Sequence, residues 1–149
     1  QHMTDVPQTA EERNKQVVNR LLLDGFVGGD LGLWDELVSP DFVDKTAAQG
    51  APNDRAAWVA SAAMFQAAFP DRELEVLHQV AEGDLVITHQ RTTGTHAGEL
   101  MGIAPTGNPV DVRAVNVDQL AGGLIVARWS LIDMLSLMRQ IGALPTPGA

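Results

Sequence analysis

At Leu74 the apolar pattern of this chain changes period, and that change sets the class of fold. Before it, apolar residues recur at helical spacing; after it come runs rich in Val, Leu, Ile and Thr, divided by turn residues. Thr9-Ala10-Glu11-Glu12 is a capping-box sequence and opens a first helix, whose face of Val17, Val18, Leu21 and Leu22 runs to Gly28-Gly29. Asp30 can cap a second, shorter helix burying Leu33, Trp34, Leu37 and Val38, stopped by Ser39-Pro40. A third begins near Asn53-Asp54, places Trp58, Ala62, Phe65 and Phe69 on one stripe, and ends before Pro70. Strands are expected at about 74–80, 85–93, 109–120 and 124–131. A last helix starts near 134 and ends at Gly142, with Pro145 beyond it. Helices followed by sequential antiparallel strands indicate α+β. One domain over residues 9–145 accounts for the pattern. Gln1-His2-Met3 reads as an expression scar at the head of a flexible lead, residues 1–8, and 146–149 as a flexible tail.

A chain of 149 residues, 45% hydrophobic, can bury a sizeable core without metal or disulfide support. Its net charge of −9 and ten Lys and Arg argue against nucleic acid or an anionic membrane as partner, since both call for a basic patch. With no cysteine, thiolate nucleophiles and Cys-based metal sites are excluded. With no tyrosine, so is a Tyr-based oxyanion hole of the ketosteroid isomerase kind. No HExxH, GxGxxG or P-loop occurs, so no metal or nucleotide cofactor is implied. Nothing at the N-terminus has the order of a signal peptide and no apolar run approaches a membrane span, so a cytoplasmic protein is expected.

The turn at Gly122-Gly123 decides which polar groups meet. A two-residue turn sets Ala121 opposite Leu124, hence Asn116 opposite Trp129 and Asp118 opposite Ala127. Trp129, Leu131 and Asp133 then share a face with Asn116 and Asp118; a three-residue turn would give that face Val115 and Val117 instead. Gly-Gly suits the positive φ angles of the two-residue turn.

Several spaced motifs carry a resemblance: Phe69-Pro70-Asp71, Ala81-Glu82-Gly83-Asp84, the segment Thr93-Gly-Thr-His-Ala-Gly-Glu-Leu-Met-Gly-Ile-Ala-Pro-Thr-Gly107, Gly123-Leu-Ile-Val126, Trp129-Ser-Leu-Ile-Asp133 and Gln140-Ile-Gly142. In this order, over roughly residues 15–145, the chain resembles the SnoaL-like polyketide cyclases. The resemblance implies a cone-shaped α+β barrel, shared with ketosteroid isomerase and scytalone dehydratase, in which a curved sheet and helices enclose one apolar pocket. It also implies a homodimer through the outer sheet face. The implied activity is cofactor-independent ring closure of a small, apolar, polyketide-like substrate in antibiotic or other secondary metabolism. Lyase- or isomerase-type cyclisation of the aldol kind leads. A shape-driven pericyclic or conjugate closure, epoxide chemistry, and a non-catalytic ligand-binding or dimerisation module remain alternatives on the same scaffold.

Asp133 closes W-x-x-x-D, where the family carries its acid/base carboxylate; an Asp just before Met134 can equally be a helix N-cap. His89 and Arg91 alternate on one strand face, so both point inward, to polarise a carbonyl and hold an enolate oxygen, or both outward. Asp118, if inward, adds a second carboxylate, with Asn116 beside it. Lys45 stands where the family often has His; it can stabilise an anion but is no neutral base unless buried. His96 and Glu99 belong to the GTH and GE steps, and His78 has neither motif nor partner. Trp34, Phe42, Trp58, Phe65, Phe69, Leu100, Met101 and Trp129, with Lys45, His96, Asn116 and Asp118, are the candidates for a pocket of about 300–1,000 Å³.

Overall fold

The computed structural model describes residues 6–145 and 147–148; the N-terminal scar and parts of the expected lead and tail lie outside the described residues. Helix α1 (Ala10–Arg20) starts where the sequence puts it, the Thr9 hydroxyl accepting the Glu12 amide at 3.1 Å. It runs on into a π-helical stretch, Leu21–Val27. Gly25 lies in that stretch for a steric reason, since a Cβ there would stand 3.0 Å from the Trp34 ring. Helix α2 (Leu33–Leu37) buries Leu33, Trp34 and Leu37, but its N-cap position is Gly32 rather than Asp30. Val38 does not end that helix; it begins strand β1 (Val38–Asp44), which the sequence reading missed. Helix α3 (Arg55–Ala68) is capped by Asp54, which accepts the Ala57 amide at 2.9 Å.

Strands β2 (Glu73–Glu82), β3 (Leu85–Thr95), β4 (Pro109–Ala121) and β5 (Leu124–Ile132) form an antiparallel meander, and helix α4 (Met134–Gln140) closes the chain. The sheet order is β1-β5-β4-β3-β2, with β1 parallel to β5. Pro40 is tolerated because β1 is an edge, and pairing shifts between Val38 and Val43. β1 and β2 do not pair, so the sheet stays open and the helices complete the cone.

Alternation divides the sheet cleanly. On β3, Val86, Thr88 and Gln90 are buried; on β4, so are Val110, Val112, Ala114, Asn116, Asp118 and Leu120. Two apolar clusters result. One joins α1, α2, β1 and the turn end of the sheet around Trp34, Phe42 and Ile125. The other joins the end of α3, α4 and the opposite end of β4 around Phe69, Leu100, Val112 and Ile141.

The two-residue turn forms as expected, with Gly122 and Gly123 at φ 59° and 81° and Ala121 opposite Leu124. The faces that it was expected to set are nevertheless reversed. Leu120 pairs with Ile125 but Gln119 pairs with Ala127, so Val126 is an extra residue on β5 and the register slips by one. Asn116 therefore faces Ser130 and Asp118 faces Arg128, while Trp129 and Leu131 turn outward.

Candidate active site

Between the two apolar clusters lies a cavity of about 480 Å³, whose lining is drawn from both: Leu21, Leu22, Trp34 and Phe42 from one, Phe69, Val112 and Leu137 from the other. Trp58 and Phe65 from α3 complete its apolar wall. Trp34 and Trp58 meet edge-on at 5.9 Å, and Phe42 lies 4.9 Å from Trp58, so the aromatic wall is mutually braced. A wider depression of about 970 Å³ runs outside α1, past Glu11, Arg13 and Arg20, and gathers none of the residues considered for chemistry.

One end of the cavity is polar, and β3, β4 and β5 supply it through their inward positions. The Asn116 amide donates to Gln90 Oε1 at 2.9 Å, and the Ser130 hydroxyl donates to Asn116 Oδ1 at 2.7 Å. The Ser130 amide donates to the Thr46 hydroxyl at 3.1 Å, and Thr46 gives Asp44 Oδ1 two hydrogen bonds of 2.9 Å. Arg128 lines the same end, its guanidinium 4.4 Å above the Trp58 ring. Behind it Asp118 is 2% exposed, its Oδ1 3.4 Å from Arg128 Nε. That contact is within ion-pair reach, yet both atoms lack a hydrogen-bond partner, so the groups are close but misaligned. Burial pushes the Asp118 carboxyl above the ordinary carboxylate range; the Arg128 charge opposes this without cancelling it.

Of the candidate pocket residues, the structure brings together Trp34, Phe42, Trp58, Phe65, Phe69 and Asn116 at the cavity, with Asp118 one layer behind. The others lie elsewhere. Lys45 is exposed and meets the site only through its amide, which donates to the Arg128 carbonyl at 2.8 Å. Leu100 is fully buried in the second apolar cluster, Met101 is exposed at φ 48°, and Trp129 sits on the outer sheet face. His96 is fully buried but away from the cavity: its Nδ1 takes the Thr106 amide at 3.3 Å and lies 2.9 Å from the Thr106 hydroxyl.

The three residues expected to do proton transfer and anion binding are also displaced. His89 and Arg91 pair with Val115 and Arg113 on the outward face, because the buried set on β3 is the alternate one. His89 stacks on His78, with Nδ1 atoms 3.0 Å apart, and Arg91 is held by Asp111 at 2.7 and 2.9 Å, with Glu75 at 3.8 Å. Asp133 is exposed and caps α4, accepting the Ser136 amide at 3.1 Å and its hydroxyl at 2.7 Å. Those hydrogen bonds from Ser136 hold its carboxyl below the ordinary value, the opposite of the shift expected for a carboxylate in an apolar pocket.

Asp44, Gln90, Arg128 and Ser130 line this cavity and are not among the sequence candidates. Asp44 was visible beside Lys45, and it is the one carboxylate lining the cavity among the described residues. Arg128 was hidden by the register, since without the bulge its position faces outward.

The motif residues meet in a framework of hydrogen bonds. Asp71 takes the Thr95 amide at 2.8 Å and its hydroxyl at 2.7 Å; the Ala97 and Gly98 amides donate to the Ala68 carbonyl at the end of α3. Gln140 exchanges two hydrogen bonds with the Asp111 backbone, and Asn108 donates to the Gln140 carbonyl. Among the described residues no group of three or more His, Asp or Glu side chains is disposed to hold a metal, and no helix is long and apolar enough to cross a membrane.

No curated protein is matched by this chain. Solved structures are matched along nearly its whole length. IdmH of Streptomyces antibioticus, provisionally described as a polyketide cyclase, is 34% identical with a TM-score of 0.74, over 87% of this chain and 98% of that one. A protein from Jannaschia sp. CCS1, provisionally described as a SnoaL-like polyketide cyclase, is 29% identical with a TM-score of 0.81, over 95% and 99%. AclR of Streptomyces galilaeus, provisionally described as a hydroxylase, is 30% identical with a TM-score of 0.81, over 92% and 85%. Residues 16–141 match the SnoaL-like polyketide cyclase family, and with the cone fold and the ordered motifs now in place, this chain belongs to that family.

Proposed function

We propose that the protein is a cofactor-independent cyclase that closes a ring of a polyketide-like substrate inside the cavity. The observation that carries this reading is the cavity itself: about 480 Å³ between two apolar clusters, aromatic along its walls and polar at one end. Such a site binds an apolar chain and orients it by one polar end. Holding a flexible chain in a reactive fold supplies much of the acceleration by itself.

In the aldol version Asp44 takes a proton from carbon next to a carbonyl, the C–H pair becoming the enolate C=C and the carbonyl π pair moving to oxygen. Arg128 stabilises that oxyanion. The enolate carbon attacks a second carbonyl of the same chain, and the resulting alkoxide recovers the proton from Asp44, so no co-reactant is consumed. Proton transfer of this kind is worth about 10²–10⁴-fold. Asp44 takes this part because it lines the cavity; Asp133, exposed and fully engaged as a helix cap, is given none.

The test is product analysis on linear and partly cyclised poly-β-ketones. New ring formation that falls more than about tenfold in Asp44→Asn, and much less in Asp133→Asn, is expected. Equal losses in the two variants, or none, would remove Asp44 from the chemistry. If aromatic wall substitutions hurt and Asp44→Asn does not, closure is shape-driven. Binding across the panel without turnover would make the protein a ligand-binding module.

A homodimer through the outer sheet face goes with this reading. Val80, Ile87, Val117 and Trp129 are successive cross-strand partners there, with Val115 and Leu131 alongside. Arg91, Arg113, Glu75 and Asp111 at one end of the stripe give both signs of charge to a two-fold contact.

A further inference from the structure

We propose that Arg128 anchors an anionic head group. The substrate then carries a planar, delocalised pair of oxygens, as a carboxylate or an ionised 1,3-dicarbonyl does, on its apolar body. This rests on the reading of the cavity as the substrate site and names the chemistry that fits its polar end.

The polar end has unequal hydrogen-bonding capacity. Asn116 is engaged on both sides, its amide by Gln90 and its carbonyl by Ser130. Thr46 and Asp44 Oδ1 are engaged with each other, and Thr46 also accepts from the Ser130 amide. Arg128 differs. A guanidinium has five N–H donors, and among the described residues none of them makes a hydrogen bond; Nε is buried against the misaligned Asp118, which leaves the Nη groups for the cavity that Arg128 lines. Its side chain is 12% exposed, so bulk water does little for a full positive charge. The capacity left open to a ligand at this end is thus that of the Arg128 Nη donors, beside a positive charge.

Geometry then selects the shape of the acceptor. The guanidinium carbon lies 4.4 Å from the Trp58 ring centroid, which holds the group against the aromatic wall, and an arginine so held can take a carboxylate through two parallel hydrogen bonds. Of the carboxylates near Arg128, Asp118 has its charge disfavoured by burial, and Asp44, a Cα partner of Arg128 across β1 and β5, has one oxygen committed to Thr46. A neutral ester or ketone offers the guanidinium acceptors without charge; a planar oxyanion offers it two acceptors and a full opposite charge.

Calorimetric titration of the intact protein tests this with paired probes: 2-naphthoate against methyl 2-naphthoate, and 2-acetylcyclohexane-1,3-dione, ionised near neutral pH, against its O-methyl enol ether. Each anionic probe is expected to bind about 10- to 100-fold more tightly than its neutral partner, and Arg128→Lys, which keeps the charge but loses the planar fork, to cancel most of that margin. Preference for only one anion assigns the head group as acid or as dicarbonyl. Because Arg128→Met would strand Asp118, the neutral comparison is the double variant Asp118→Asn, Arg128→Met, expected to bind both members of a pair alike. Anionic probes that bind no better than neutral ones, or a margin that survives in both variants, would overturn the proposal. No turnover is involved, so the cyclase reading and this one fail separately: ring closure without the margin removes the anchor, and the margin without ring closure removes the cyclase.

Discussion

Asp118 and Arg128 are direct partners across β4 and β5, 3.4 Å apart behind the cavity, and they meet only because Val126 is bulged. A buried pair of this kind is marginal as a source of stability but costly to halve, since a lone Asp118 must either hold a buried charge or take up a proton, and a lone Arg128 keeps its charge. Arg128→Met is expected to destabilise by about 3–5 kcal/mol, and the double variant Asp118→Asn, Arg128→Met by clearly less. Urea unfolding of the two singles and the double measures this. Additive losses would mean that the pair does not interact.

The same carboxyl gives a pH dependence of definite sign. Burial raises the Asp118 pKa, so the folded chain keeps its proton to higher pH than the unfolded chain does. Its contribution to stability is full below the ordinary carboxylate value and is lost as pH rises through the folded value. Asn at 118 cannot titrate. Stability of Asp118→Asn relative to the parent should therefore rise with pH from the ordinary carboxylate value, about 4, upward to the folded value. A gap that is constant with pH would place the Asp118 pKa at its ordinary value.

Asp133 should behave in the opposite way. Ser136 holds its carboxyl low, so its contribution is present above the ordinary carboxylate value and is lost as pH falls through the folded value. Asp133→Ala removes the α4 cap and is expected to lower the thermal midpoint at neutral pH but not in acid. Asp133→Asn keeps a capping oxygen and should change both midpoint and ring closure little. A large loss of turnover in Asp133→Asn with unchanged stability would return the acid/base role to this residue.

The segment Thr93 to Gly107 is a packing device more than a chemical one. A Cβ on Gly98 would stand 2.1 Å from the Ala67 carbonyl oxygen, so Gly98→Ala forces the loop off the end of α3. Overpacking of this sort costs about 1–3 kcal/mol and more where backbone must move. His96→Ala removes a fully buried ring and its bonds to Thr106, with an expected loss of about 2–4 kcal/mol. Both variants should close rings at normal rates per folded molecule. A selective loss of turnover in stable His96→Ala protein would instead make His96 catalytic.

What the sequence disclosed, and what it hid, follow physical lines. Thr9, Asp54 and the Gly122-Gly123 turn act through neighbours within a few residues, so their effects are local and legible. The four meander strands were legible because each has a long alternating run. β1 was not: Pro40 interrupts a seven-residue edge strand whose partner, β5, lies some eighty residues away, and no local signal records that pairing. The site suffered most from the bulge. Turn type was read correctly, but one extra residue at Val126 exchanges the two faces of β5, bringing Arg128 and Ser130 in and sending Trp129 and Leu131 out. Five of the aromatic and amide candidates reached the cavity because helical stripes and β4 alternation do not depend on that register; Phe42, the sixth, reaches it from β1.

The exchanged face has its own consequence. Leu131 is 70% exposed and Val80 60%, at opposite corners of an apolar stripe that spans β2 to β5. Contiguous exposed apolar surface on a sheet marks an interface, and a stable one needs about 800 Å² per partner. Two copies related by a two-fold axis can cover the stripe with the same stripe. Sedimentation should therefore find a dimer, and Leu131→Glu, which puts a carboxylate into the apolar contact of each copy, should shift it to monomer. The cavity lies on the other face of the sheet, so anionic probes should bind the Leu131→Glu monomer as they bind the parent. A parent that sediments as a monomer at micromolar concentration would leave the stripe without this role, and a variant that stays dimeric would move the interface elsewhere.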